Sequence, residues 1–116
     1  MSMFQNATLT SGSGSVTDAS SSAALLAAPG AGKLTRLMGG VICVTTAAVG
    51  GGGLVSIKNG TTVIFSAEGD AVGAIPFSFG EQGFPLTANA ALNLVTESAV
   101  TTQATANAAV VAKVVG

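Results

Sequence analysis

Apolar positions along most of this chain repeat with a period of two, and no window of about eleven residues carries a persuasive helical stripe. "AALLAAP" is a short apolar run from Ala23, closed by the Pro29-Gly30 turn signal. "KLTRLMGGVICVTT" follows. Its first half sets Leu34 and Arg36 on one face and Thr35 and Leu37 on the other. Its second half, Val41 to Val44, is apolar on both faces and predicts a buried strand.

"LVSIKNGTTVIF" predicts a hairpin, because Asn59-Gly60 is the strongest two-residue turn signal. A type I′ turn there would pair Lys58 with Thr61, Ile57 with Thr62, Ser56 with Val63, Val55 with Ile64 and Leu54 with Phe65. One face of that hairpin, Val55, Ile57, Thr62 and Ile64, is core-like. The other is polar at the turn and apolar at its far end, where Leu54, Val63 and Phe65 become candidates for an oligomer interface.

In "GAIPFSFG", Ile75, Phe77 and Phe79 point one way, and Pro76 marks an edge strand or a bulge. "EQGFPLTANAA" reads as a loop. "LNLVTES" alternates Leu92, Leu94 and Thr96 against Asn93, Val95 and Glu97. "NAAVVAKVVG" predicts a last strand with Val110, Ala112 and Val114 inward and Lys113 outward. Strands recurring at intervals of roughly 8 to 14 residues, with Gly, Pro and Asn between them, predict an all-β antiparallel sandwich, jelly-roll-like, over residues 23–116.

Residues 1–22 are different. "SGSGS" and "TDASSS" predict a flexible or extended N-terminal arm, with Phe4 and Leu9 as its large apolar anchors besides the methionines. The start lacks the basic and apolar regions of a secretion signal.

Composition narrows the function. Only 8% of the 116 residues are charged, the net charge is −1, and histidine is absent. No basic footprint exists for nucleic acid, so none is expected as a partner. Without histidine no Ser-His-Asp or Cys-His arrangement can form, and no enzyme activity is expected. Leu37 to Ile57 carries no charge, but glycines interrupt it, including Gly50 to Gly53, and no membrane partner is expected. The lone Cys43 reads as a small buried hydrophobe.

"APGAGKLT" resembles a phosphate-binding loop in its Gly32-Lys33 pair alone. The pattern demands Gly where Ala27 stands and Ser or Thr where Leu34 stands, so Lys33 is expected to lead a turn into a strand. No cofactor is expected. The carboxylates of "EGD", Glu68 and Asp70, are too few for a stable calcium site, and no metal is expected.

The order "LLAAPGAGKLTRLMGGVICVT", then "LVSIKNGTTVIF", "FPLTANAALNLVTESAVTT" and "AAVVAKVVG" resembles small head-decoration (cement) proteins of tailed bacteriophages. Gly83, Phe84, Thr87, Ala91, Leu92 and Leu94 roughly match a segment that precedes the last strands in that family. The resemblance covers about residues 23 to 116 and is one of strands and turns. It implies a structural virion protein, a homotrimer bound to the major capsid protein on the capsid outer surface, made in the host cytoplasm. Its arm would reach to neighbours through Phe4 and Leu9. A phage tail, fibre or receptor-binding module shares the β pattern and is the alternative; a small membrane protein is the more distant one.

Overall fold

The computed structural model describes residues 8–16, 22–49, 53–69, 71–97 and 104–116. They contain strands and no helix: β1 (Thr8–Val16), β2 (Ser22–Leu26), β3 (Leu34–Thr46), β4 (Leu54–Asn59), β5 (Thr62–Glu68), β6 (Gly73–Ser78), β7 (Phe84–Pro85), β8 (Leu92–Glu97) and β9 (Thr105–Val115). Two antiparallel sheets pack as a sandwich. The first has the order β1-β9-β3-β6, with β7 also on β3; the second has the order β2-β8-β4-β5.

The ladders nest. β4 pairs with β5, β3 with β6, β2 with β8 and β1 with β9, so the chain runs as a long ribbon whose closed end is the β4–β5 turn. The expected β-sandwich is thus what the sequence builds. Alternation positions the core: Leu37, Ile42 and Val44 of β3, Val55 and Ile57 of β4, Leu92 and Leu94 of β8 and Val110 of β9 are fully buried. Thr96 is buried beside Leu92 and Leu94, and Ile75, Phe77 and Phe79 pack against the core, as their alternation predicts. Pro76 lies on β6, which ends the first sheet, the kind of strand on which a proline is tolerated.

Three expectations are corrected. The first is the boundary at residue 23. Thr8–Val16 lies within the sandwich, paired over nine positions with β9 and ending in buried Val16. The "SGSGS" composition that reads as linker has a packing reason. A Cβ on Gly12 would collide with the Leu25 carbonyl oxygen, and one on Gly14 would crowd Ala23, Ala24 and Leu25. Alternate glycines let β1 lie directly on β2 of the opposite sheet.

The second is the hairpin register. Asn59 pairs with Thr62 and Lys58 with Val63, so the turn is Gly60-Thr61, one residue later than the Asn59-Gly60 signal. Gly60 has a φ of 64° while Asn59 and Thr61 are not in the positive region, the sign pattern of a type II′ turn. A bulge then shifts the ladder, so Ile57 pairs with Phe65, Ser56 with Ser66, Val55 with Ala67 and Leu54 with Glu68. The cause is tertiary. Asn59 is buried; its Nδ2 donates to the Ala91 carbonyl at 3.1 Å, and its Oδ1 accepts from the Thr87 amide at 2.8 Å. Those bonds hold Asn59 in the strand and out of the turn.

The third concerns Val41 and Cys43, which face outward and are half-buried rather than internal; Ile42 and Val44 take the core side.

The glycine-rich stretch before β3 crosses from one sheet to the other. Gly30 and Gly32 both have positive φ, and the Lys33 amide donates to the Gly30 carbonyl at 3.2 Å. Asn89, itself at a φ of 51°, clamps this turn. Its Oδ1 accepts from the Gly30 amide at 2.8 Å, and its own amide donates to the Lys33 carbonyl at 3.0 Å. The stretch that resembles a phosphate loop thus spends its backbone groups on a turn, and the strand β3 follows it.

Candidate functional site

The two outer faces of the sandwich differ in chemistry. On the second sheet, β4 is the reference. Its Val55, Ile57 and Asn59 are buried inward, so Leu54, Ser56 and Lys58 face out, with Asn93 beside Lys58 and Ser66 beside Ser56. Ser56 and Ser66 hydroxyls meet at 2.8 Å. Exposed Glu68 stands opposite Leu54. Leu54, Val63 and Val95 share this face with polar Asn93 and Ser66 and with both signs of charge.

The first sheet presents a different surface. Residues of β9 that face the core are Ala106, Ala108, Val110 and Ala112, so register turns Asn107, Ala109 and Val111 outward. Opposite them β1 offers Ser15, Ser13 and Ser11, and β3 offers Cys43, Val41 and Gly39. β6 adds Ala74, Pro76 and Ser78 beyond β3. None of these is charged. Val111 is 48% exposed, and Leu9, next to it along β1's outer side, is 71% exposed. The surface has shallow depressions lined by Ser13, Val41, Ala109 and Val111.

Among the described residues, charge appears at one end of this face. Arg36 and Lys113 stand directly opposite each other in the β3–β9 ladder. The Arg36 guanidinium donates to the carbonyls of Gln82 and Gly83, both at 3.3 Å, which ties the loop before β7 over the end of β3. Lys113 is buried although its register position is outward.

The proposed interface residues do not form one patch. Register sets Leu54 and Val63 four strand positions apart along β4, or about 13 Å. Val63 is 47% exposed and Leu54 half-buried. The bulge after Lys58 turns Phe65 to the core side, where its ring stacks on Phe77 of the first sheet with centroids 4.6 Å apart. Phe77 meets Phe79 edge-on at 5.8 Å, and Phe79 meets Phe84 at 5.3 Å. A row of four phenylalanines therefore closes the gap between β5 and β6, where neither strand has a ladder partner from the other sheet. Phe65→Ala is expected to lower stability by about 2 kcal/mol, less than for a fully buried ring, read as a lower urea midpoint with association unchanged. Loss of association at constant stability would return Phe65 to an interface role.

Of the two arm anchors, Leu9 is exposed on β1, and Phe4 lies outside the described residues. Sequence reasoning missed the outer face of the first sheet. Its signal is the run Val41 to Val44, apolar on both faces, of which one side meets the core and the other this outer face. Among the described residues no group of three or more His, Cys, Asp or Glu could hold a metal ion. No helix among them is long and apolar enough to cross a membrane. Comparison with protein-family models, with curated proteins and with solved structures found no match.

Proposed function

We propose that this protein is a structural component of a phage virion that decorates the capsid and stabilises it by binding the lattice of the major capsid protein. The observation that carries the reading is the pairing order. The nested ladders β1–β9, β2–β8, β3–β6 and β4–β5 support a jelly-roll form of the sandwich, an architecture that recurs in viral shell domains. The resemblance in turn and strand order over residues 23–116 points the same way.

The surface supports it too. A broad face that is uncharged over most of its length suits docking on another protein surface better than it suits a small ligand, which is held in a concave pocket. Exposed Leu9 at the margin of that face adds an apolar anchor able to contribute about 1.5 to 3 kcal/mol on full burial. Multiplied over linked copies, such modest contacts become tight. Self-association belongs to this reading, and the resemblance implies three copies.

The test is to mix the purified chain with capsids stripped of decoration, then measure co-sedimentation and the temperature at which the shells release their contents. Saturable binding with a higher release temperature is expected. A chain that leaves capsids bare and instead binds tails or host cells would replace this reading with the tail, fibre or receptor-binding one.

A further inference from the structure

We propose that Asn59 is a site of spontaneous covalent modification gated by the fold: its side chain deamidates onto the Gly60 amide when the connection between β7 and β8 lifts, and the carboxylate formed then keeps that connection from closing again. This goes beyond the decoration reading and holds or fails independently of it.

The chemistry starts in the sequence. Asn59-Gly60 is the one Asn-Gly dipeptide of the chain; the other asparagines precede Ala or Leu. A base removes the Gly60 amide proton, and that nitrogen attacks the side-chain carbonyl carbon of Asn59. The bond from Gly60 N to Asn59 Cγ forms, the Cγ–Nδ2 bond breaks, and Nδ2 takes a proton from solvent and leaves as ammonia. A succinimide remains. Water opens it at either carbonyl, giving an aspartate or its β-linked isomer, in which Cβ has entered the main chain. Water is the sole co-reactant, and nothing is oxidised or reduced. Glycine favours the attack because it has no Cβ to obstruct its nitrogen and its backbone turns freely.

The folded protein blocks every part of this sequence of events. Asn59 pairs with Thr62 on one side and Leu92 on the other, so its main chain is fixed between two ladders. Its carboxamide is pinned at both ends, Nδ2 on the Ala91 carbonyl at 3.1 Å and Oδ1 under the Thr87 amide at 2.8 Å. Turning Cγ toward the Gly60 nitrogen breaks both bonds together. With 5% of Asn59 exposed, base and water do not reach the reacting atoms.

The gate is the segment 86–91. Leu86 is its one buried residue; Thr87, Ala88 and Asn89 are exposed. The Leu86 amide donates to the Thr35 carbonyl. Beyond that, two asparagines fasten the segment: Asn59 from β4, and Asn89, which bonds Gly30 and Lys33. A segment with so few buried apolar contacts opens at a smaller free-energy cost than the whole domain. Lifting it uncovers Asn59 while the ladders of both sheets stay in place.

The product does not fit the closed form. An ionised carboxylate only accepts, so the Ala91 carbonyl would lose its donor and face a second acceptor. The new charge would lie in a buried site. The β-linked isomer also lengthens the main chain at Asn59 and disturbs the register of β4 on both neighbours. Each opening long enough for the reaction therefore marks the chain irreversibly.

The experiment holds the native full-length chain in mildly alkaline buffer, with and without denaturing guanidinium chloride, and maps conversion by peptide mass spectrometry. In denaturant Asn59 should convert ahead of every other asparagine. In the folded chain its conversion should be at least about a hundredfold slower. Asn89→Gly removes the second fastening and tolerates the positive φ there. It should speed conversion of Asn59 in the folded chain at least about tenfold and leave the rate in denaturant unchanged. Hydrogen exchange on the native chain tests the gate without any substitution: the Thr87 amide should exchange faster than the ladder amides of β3 and β9. Chain converted in denaturant and returned to native buffer should melt below unmodified chain taken through the same cycle, at or below the midpoint of Asn59→Asp. Equal conversion in folded and unfolded chain overturns the proposal. So does another asparagine converting first in denaturant, a Thr87 amide that exchanges only with the core, or converted chain that regains the native melt.

Discussion

A chain lacking residues 1–17 is expected to lose cooperative folding. The deletion removes β1, whose nine pairs with β9 make it a full member of the first sheet. It strips the cover from Leu25 and Leu26, against which the Gly12 position lies, and it takes away Val16, which is buried. It also leaves the long β9 strand as a new edge with a row of unpaired amides and carbonyls, a template for aggregation. The summed loss should exceed about 5 kcal/mol, the lower end of what an ordinary domain has to spare. Circular dichroism would show a broad or absent thermal transition, with dye binding to exposed apolar surface. A truncated chain that melts sharply at the native temperature would mean that β1 is dispensable, as a free arm would be.

Replacing Asn59 by Ala is expected to cost about 2 to 4 kcal/mol. The Asn59 side chain joins the end of β4 to the loop between β7 and β8, as donor to Ala91 O and acceptor from Thr87 N. Each backbone group left buried without a partner costs about 1 to 3 kcal/mol. Ala91 is half-buried and Thr87 exposed, so water recovers part of the second loss, and the sum falls below the maximum of the two. The variant should show a lower urea midpoint at an unchanged slope, because the fold itself persists. Asn59→Asp should be worse, since it keeps the acceptor, loses the donor and adds a charge in a buried site. A midpoint shift worth less than about 0.5 kcal/mol, the scale of an ordinary surface substitution, would show that the clamp contributes little and that the late turn has another cause.

The two experiments probe the places where the chain departs most from its own local signals. Asn59-Gly60 is a strong turn signal, and the turn nevertheless forms at Gly60-Thr61. A type I′ turn is a local preference, and here two tertiary hydrogen bonds to one buried side chain outweigh it. The shifted turn and the bulge beyond it carry Phe65 from the outer face to the core, onto Phe77. One long-range choice therefore relocates a residue that local alternation puts on an interface.

The sequence by itself determined where most of the strands after residue 22 occur and which of their residues alternate inward. Leu92, Leu94 and Thr96, Ile75, Phe77 and Phe79, and Thr35 with Leu37 all take the side their spacing assigns. That much is local, because successive side chains on an extended backbone must point to opposite faces. Pro76 at an edge is local too, since a residue without an amide proton cannot serve a central strand. Only the tertiary structure decided that "SGSGS" is a strand, since a glycine shows its purpose when the carbonyl of Leu25 occupies the space its side chain would fill. Only the tertiary structure decided that Val41 and Cys43 face out, because an apolar residue looks the same in sequence whether its far side meets the core or an uncovered sheet face. Register, sheet membership and the outer surface depend on groups far apart in the chain, and no period within a strand encodes them.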